Sequence, residues 1–290
     1  MTARTWLGSQ TNKASDPASW SNGPSVAGDD ISVTGTGPFT MNIAGNDLAG
    51  DAMAVHAPLT ANLARHAALT ANVFGPSTAA FNLAGGDTAY VSAGLGGNAV
   101  VNVAGCDTGS FEANRAAMTV NLASGSVFSG TATGDYAGRI TMQGAGKFNN
   151  TSDSVVNGPG GHDTIGVDVI GKGLFSVNGG GISFLKYVGP DQSVVMEYGS
   201  IDIAEPSHFH GQVTFTGGFA SINLTGLATA DSYSFKNDML DIWGGNKVIE
   251  ALRLTNQDAN GFAVEPPASG SLTIATLFPG FNPDSLPVHQ

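Results

Sequence analysis

The stretch TANLARHAALTANVFGPSTAAFNLAGGDT, Thr60 to Thr88, sets one short alternating run after another at nearly fixed spacing. Related runs lie on either side: TMNIAG from Thr40, VVNVAG from Val100 and TVNLAS from Thr119. Their central asparagines are Asn42, Asn62, Asn72, Asn82, Asn102 and Asn121, at steps of 20, 10, 10, 20 and 19 residues. A unit of about ten residues, often doubled, marks a repeat architecture. Within each unit the apolar residues alternate with period two, as in Met41/Ile43, Phe81/Leu83 and Val101/Val103, and the asparagine between them points the other way. Small residues and glycine follow at once (Ala44-Gly45, Ala84-Gly85, Ala104-Gly105), which suits a tight corner. Strand, corner and strand at fixed length predict a solenoid coil, with like residues of successive coils stacked roughly 4.8 Å apart.

Composition agrees with this reading. The 290 residues include 41 glycines and 13 prolines, too many for long helices, and no apolar stripe of period 3.6 persists. Charged residues make up only 12% and hydrophobic ones 41%, so the chain can bury a core. A net charge of -12 opposes binding to nucleic acid or to any other polyanion. The single cysteine, Cys106, excludes an intrachain disulfide, and with no second cysteine there is no spacing to point to a thiolate metal site. No run of eighteen apolar residues exists, which excludes a membrane-inserted helix, and MTARTWLGSQTNKASDPASW lacks the apolar core of a cleaved secretory signal.

Beyond Gly125 the period loosens, but short β-rich runs continue: RITMQG from Arg139, DTIGVDVIG from Asp163, LFSVNGGGISFLKYV from Leu174. After Ile201 the strands lengthen, and Gly244-Gly245-Asn246 predicts a hairpin connector. The expected fold is all-β: a parallel β-helix or β-solenoid followed by a smaller β-rich C-terminal module. Residues 1–24 are expected to form an N-terminal cap or arm, 25–200 the solenoid body, 201–277 the module and 278–290 a Pro-rich extended arm.

Two segments resemble exported bacterial proteins. TWLG from Thr5, DPASWSNG from Asp16 and GDDISV from Gly28 are similar to the start of autotransporter-like passenger β-helices. Residues 201–275, including HFHGQVTFTGGFASINLTG and NDMLDIWGGNKVIEALRLTN, resemble a module near the ends of large alphaproteobacterial exported proteins with β-helical or β-roll bodies. Where that module often carries Gly-Asp before its SINL-type strand, this chain has Phe219-Ala220-Ser221. Many of those proteins use a type I route with no N-terminal signal; the resemblance implies export and an extracellular or cell-surface place, and it implies no chemistry.

Calcium is the one ion the motifs suggest. GPGGHDTI, Gly158 to Ile165, is the nearest match to a calcium-binding β-roll repeat, with Asp163 in the ligand place. Asp47, Asp87 and Asp107 follow corner glycines and are the looser candidates, the alternative for each being an ordinary Asx turn. His208 and His210 share a strand face near Glu205, but two imidazoles do not complete a metal site. No cofactor is otherwise expected. The five arginines and six lysines are dispersed, Gly161-His162-Asp163 only half resembles a pectinase motif, and no nucleophile elbow or P-loop occurs, so a non-enzymatic role is expected.

The asparagines Asn42, Asn62, Asn72, Asn82, Asn102 and Asn121 are expected to stack into one polar ladder, structural first and ligand-binding second. Open solenoid ends invite pairing with another copy. The expected function is a self-assembling building block of a surface filament or biofilm matrix, a homopolymer with Trp6, Trp20, Phe278 and Phe281 at its assembly contacts. The second reading is a monomeric adhesin that binds surface glycans, and the third a polysaccharide-active enzyme.

Overall fold

The alternating runs form strands because each buries every second side chain against a facing sheet, while the small residues between them close the corners. A computed structural model of the chain describes residues 3–8, 12–23, 29–45, 47–48, 50–227, 229–256, 262–268 and 271–276. It contains strands and two short 3-10 turns and no α-helix among these residues. The chain divides into two compact units, residues 1–149 and 150–290, rather than at the expected boundary near 200.

In the first unit each coil carries two strands, and alternate strands stack into two parallel sheets. Sheet 1 takes Ala3–Trp6, Asp30–Val33, Ala52–Val55, Ala68–Phe74, Thr88–Gly94, Cys106–Asn114 and Val127–Asp135. Sheet 2 takes Phe39–Ile43, Leu59–Leu63, Thr78–Leu83, Asn98–Val103, Ala117–Leu122 and Arg139–Gly144. The register along sheet 2 advances by 20 residues from Phe39 to Leu59 and again from Leu59 to Ala79. The doubled unit read from the sequence is therefore one full coil.

The core between the sheets is made of columns of equivalent inward residues. Met41, Ala61, Phe81, Val101, Val120 and Met142 form one on sheet 2, and Ile31, Met53, Ala71, Val91, Phe111 and Ala132 form another on sheet 1. Each column mixes small and large residues, which fill the interior together while the backbone hydrogen bonds hold the coils at constant spacing. Phe111, Phe128 and Phe148 stack at ring-centroid distances of 4.1 and 6.2 Å, all fully buried. Beside them Ala89, Gly109 and Gly130 form a column with no room for more: a Cβ on Gly130 would lie 1.9 Å from the Gly109 carbonyl oxygen.

Residues 3–8 and 12–23 make an irregular first coil. Ala3–Trp6 covers the edge of Asp30–Val33, and the chain at Asn12–Ala14 covers the edge of Phe39–Ile43 through Asn42 N–H to Asn12 (2.6 Å) and Ala14 N–H to Asn42 (2.8 Å). Arg4 forms an ion pair with Asp29. Trp6 and Trp20 meet edge to face at 4.9 Å, and Trp20 Nε1–H donates to the Ala14 carbonyl at 2.7 Å. Both rings are buried within this chain, so the assembly contact expected of them is replaced by internal packing.

In the second unit the strands are longer. Leu174–Phe184, Ser193–Ile203 and Gln212–Leu224 run parallel, each bent by a register shift in its middle. Asp153–Asn157 pairs with the first half of Leu174–Phe184 and His162–Ile165 with the second. Single bridges join Val169 to Val188 and Val188 to Phe209, which gives these coils a third side. Solenoid rungs thus continue to Leu224, past the expected limit at 200. Only then does the topology change: Ser232–Lys236, Met239–Gly244 and Lys247–Asn256 form an antiparallel meander, with Gly244 opposite Lys247 as the Gly244-Gly245-Asn246 turn predicted. Lys247–Asn256 and Ser271–Thr276 pair with the two halves of Gln212–Leu224 and cover its edge. The C-terminal module is a cap on the coils of its own unit. Phe278, Phe281 and the Pro-rich arm lie outside the described residues.

Candidate functional site

The most regular outward feature is an amide ladder on sheet 2. Asn62 Nδ2 donates to Asn42 Oδ1 at 2.9 Å, Asn82 to Asn62 at 2.7 Å, Asn102 to Asn82 at 2.7 Å and Asn121 to Asn102 at 2.8 Å. Gln143 adds a sixth rung, donating to Asn121 Oδ1 at 2.7 Å. Asn72 does not belong to it. A step of ten residues carries the chain to the other sheet, and Asn72 stands on sheet 1 between Ala54 and Ser92. Each inner rung spends one donor and one acceptor on its neighbours, so the ladder first serves coil stacking.

The calcium candidates point elsewhere. Asp87 and Asp107 turn inward at a corner and are 1% exposed. Asp87 Oδ1 accepts from Ala67 N–H at 2.9 Å, and Oδ2 accepts from Ala84 and Gly85 N–H at 2.8 and 3.2 Å. Asp107 Oδ1 accepts from Asp87 N–H at 2.9 Å, while its Oδ2 is buried with no hydrogen-bond partner. Burial raises the Asp107 carboxyl above the ordinary range, the Asp87 charge adds to this, and backbone N–H groups oppose it. Asp51 accepts from Asp29 N–H in the same way at 3.2 Å, and Asp47 accepts from Ala44 N–H at 3.1 Å within its own turn. These carboxylates peg corner N–H groups of their own or the adjacent coil. Asp163, in the second unit, is buried and faces the interior. Among the described residues no three His, Cys, Asp or Glu side chains are arranged to hold a metal ion.

The second unit holds a polar chain that the sequence reading did not assign. His162 Nε2 lies 2.7 Å from Ser183 Oγ, Ser183 Oγ–H donates to Asp202 Oδ2 at 3.2 Å, and Asn223 Nδ2 donates to Asp202 Oδ1 at 2.8 Å. Thr273 Oγ1–H continues it to Asn223 Oδ1 at 3.2 Å. Residues of a Ser-His-Asp type are thus together, but in the wrong order for a nucleophile relay. Ser183 sits between imidazole and carboxylate, and Asp202 approaches the same Nε2, at 3.8 Å, instead of holding Nδ1. The spacings of 21, 19 and 21 residues from His162 through Ser183 and Asp202 to Asn223 continue the coil period, and this was the available signal. His208 Nδ1 lies 2.6 Å from Glu205 Oε2. His208 and His210 also face Glu250, whose carboxyl is raised by burial and partly lowered again by Ala251 N–H and these imidazoles.

Concavities lie on the surface of both units, one of them beside Asn42 and Asn62 at the start of the amide ladder. In the second unit a groove of about 610 Å³ has Leu174 and Val195 as apolar lining and carries Asp153, Lys172 and Asp191 with the hydroxyls of Ser193 and Thr214. Ser176 Oγ–H donates to Asp153 Oδ1 at 2.8 Å and holds that carboxylate in place. In the first unit a smaller groove of about 190 Å³ on sheet 1 is lined by Asn72, Ser92, Ser110 and Glu112 around the exposed ring of Tyr90.

Stacked parallel coils of this kind define a β-solenoid protein. No protein-family model matches the chain, and no curated protein matches its sequence.

Proposed function

We propose that this chain is a non-enzymatic, exported surface protein whose solenoid flanks bind neutral polysaccharide. The observation that carries the reading is the groove at Asp153, Lys172 and Asp191: open, apolar along Leu174 and Val195, and edged by hydroxyl and carboxylate acceptors. Such a lining suits a polyhydroxylated chain, whose C–H faces pack on the apolar strip while its hydroxyls bond the rim. The net charge of -12 disfavours an acidic polymer. Export rests on the resemblance of residues 5–33 and 201–275 to exported bacterial proteins. The test is affinity electrophoresis of the full chain through gels containing dextran, xylan, galactomannan or polygalacturonate. Retardation by a neutral polymer, weakened in Asp153→Ala/Asp191→Ala, is the expected result; unretarded migration in every neutral gel would refute the reading.

Self-assembly is the second reading, and one observation favours it. Ser232–Lys236 is hydrogen-bonded to Met239–Gly244 along one side, no described strand pairs with its other side, and all five residues are exposed. An edge of this kind accepts a strand from another copy. The edges of the first and last parallel rungs are covered by the chain itself, so filaments would grow through this meander rather than by coil-on-coil stacking. Electron microscopy of the full chain beside Ser234→Pro checks it: filaments equally abundant in both would exclude this edge.

A further inference from the structure

Four successive coils of the first unit leave sheet 1 at the same corner. The register fixes the equivalence, since Phe74 pairs with Gly94, Gly94 with Asn114 and Asn114 with Asp135. The next residues are Gly75, Leu95, Arg115 and Tyr136, and all four have left-handed backbone, with φ of 65, 51, 50 and 44°. Glycine adopts that conformation freely, whereas a residue with a Cβ does so at a cost, and Leu, Arg and Tyr lack the short polar side chain that eases it for Asn or Asp. The corner itself needs only backbone: Leu95 N–H donates to the Asn114 carbonyl at 3.1 Å and Arg115 N–H to the Asp135 carbonyl at 3.2 Å. Gly75 makes the same turn without a side chain.

Packing does not repay the three larger residues. Leu95 is 68% exposed, Tyr136 is 52% exposed, and the exposed Arg115 holds its guanidinium 5.8 Å from the centre of the Tyr136 ring. Strained backbone that carries large, exposed side chains on three adjacent coils is the pattern of a contact surface, because its benefit lies outside the molecule. We infer that Leu95, Arg115 and Tyr136 form a ridge that binds neutral polysaccharide, a second contact site that rests on the reading proposed above. Leu95 and the free face of Tyr136 offer apolar surface to sugar C–H groups, and the planar Arg115 fork offers paired N–H donors to neighbouring hydroxyls. Glu112 and Asp135, on the same sheet face, oppose an anionic polymer. The Tyr90 groove continues the surface along sheet 1.

Two triple variants of the full chain separate strain from contact. Leu95→Gly/Arg115→Gly/Tyr136→Gly relieves the backbone and removes the side chains; the corresponding triple alanine variant removes the side chains and keeps the strain. Each is followed by urea unfolding and by retardation in the neutral polymer gel that retards the wild type most. The expected outcome is a higher urea midpoint for the glycine variant only, with binding weakened at least tenfold in both. Wild-type binding in either variant would overturn the ridge and leave the groove reading standing. A glycine variant with a lower midpoint would overturn the strain argument on which the ridge depends. If the wild type itself runs unretarded in every neutral gel, the underlying reading fails and the ridge falls with it.

Discussion

Replacing Asn82 by alanine tests the amide ladder. Asn82 donates one side-chain hydrogen bond to Asn62 and accepts one from Asn102, so the variant loses two. Each is worth roughly 1 kcal/mol net, and water can reach the stranded half-buried groups, which places the loss at about 1–2 kcal/mol. Gln143→Ala loses the single bond to Asn121 at an exposed end, about 0.5 kcal/mol. Asn72→Ala, on the other sheet, loses no ladder bond and is expected to change stability by less than about 0.5 kcal/mol. The double variant Asn82→Ala/Asn102→Ala breaks three distinct bonds while its two single variants break two each, so one shared bond appears as a coupling of about 1 kcal/mol. Equilibrium urea unfolding at constant m-value reads all five, the Asn102→Ala single variant included. A cost for Asn72→Ala equal to that for Asn82→Ala, or a coupling of zero, would show that the amides act singly and that the ladder contributes nothing.

Phe128→Ala removes the middle ring of the buried Phe111, Phe128 and Phe148 stack and is expected to cost about 3–5 kcal/mol by urea unfolding. Gly130→Ala adds one methyl yet drives it into the Gly109 carbonyl, so it is expected to lower the midpoint more than Ala132→Gly on the same strand. Because the folded-state pKa of Asp107 is raised, its protonated form is favoured by folding: its contribution is fully present below the unfolded carboxyl pKa and is lost as pH rises through the folded one. Asp107→Asn should therefore stabilise the chain at pH 7 and flatten that part of the pH profile; a variant less stable at pH 7 than the wild type would show that the charge is needed. Since Asp87 and Asp107 are buried in the corner, with Asp87 holding N–H groups on both oxygens and Asp107 on one, a calcium chelator is expected to leave the thermal midpoint unchanged, and a fall on chelation would reveal an ion bound elsewhere.

Much of the architecture was legible because a solenoid writes its period into the chain. The alternation at Met41/Ile43 and Phe81/Leu83 names the buried face directly, and the Gly244-Gly245-Asn246 hairpin follows from turn chemistry. The ladder was legible except at Asn72, because a ten-residue repeat does not say whether one coil holds one strand or two. Asp87 and Asp107 were legible as corner residues with two readings, ion ligand or turn-capping carboxylate, because a corner aspartate reads alike whether it points to solvent or into the next coil. The chain from His162 to Asn223 was missed since its members share no residue type, only a spacing, and in a region of longer corners that spacing is hidden.

What the sequence determined by itself is everything that depends on period and local chemistry: strands of alternating burial, corners of small residues, an acidic chain with no disulfide. These are short-range properties, set by which side of the backbone a residue occupies and which turns it tolerates. Tertiary structure alone decided how coils are divided into sides, which edges the chain covers for itself, and which corners carry the strained Leu95, Arg115 and Tyr136 in one column. Those depend on register between residues about twenty positions apart, and register is fixed by the packing of whole coils against one another, not by any residue taken singly.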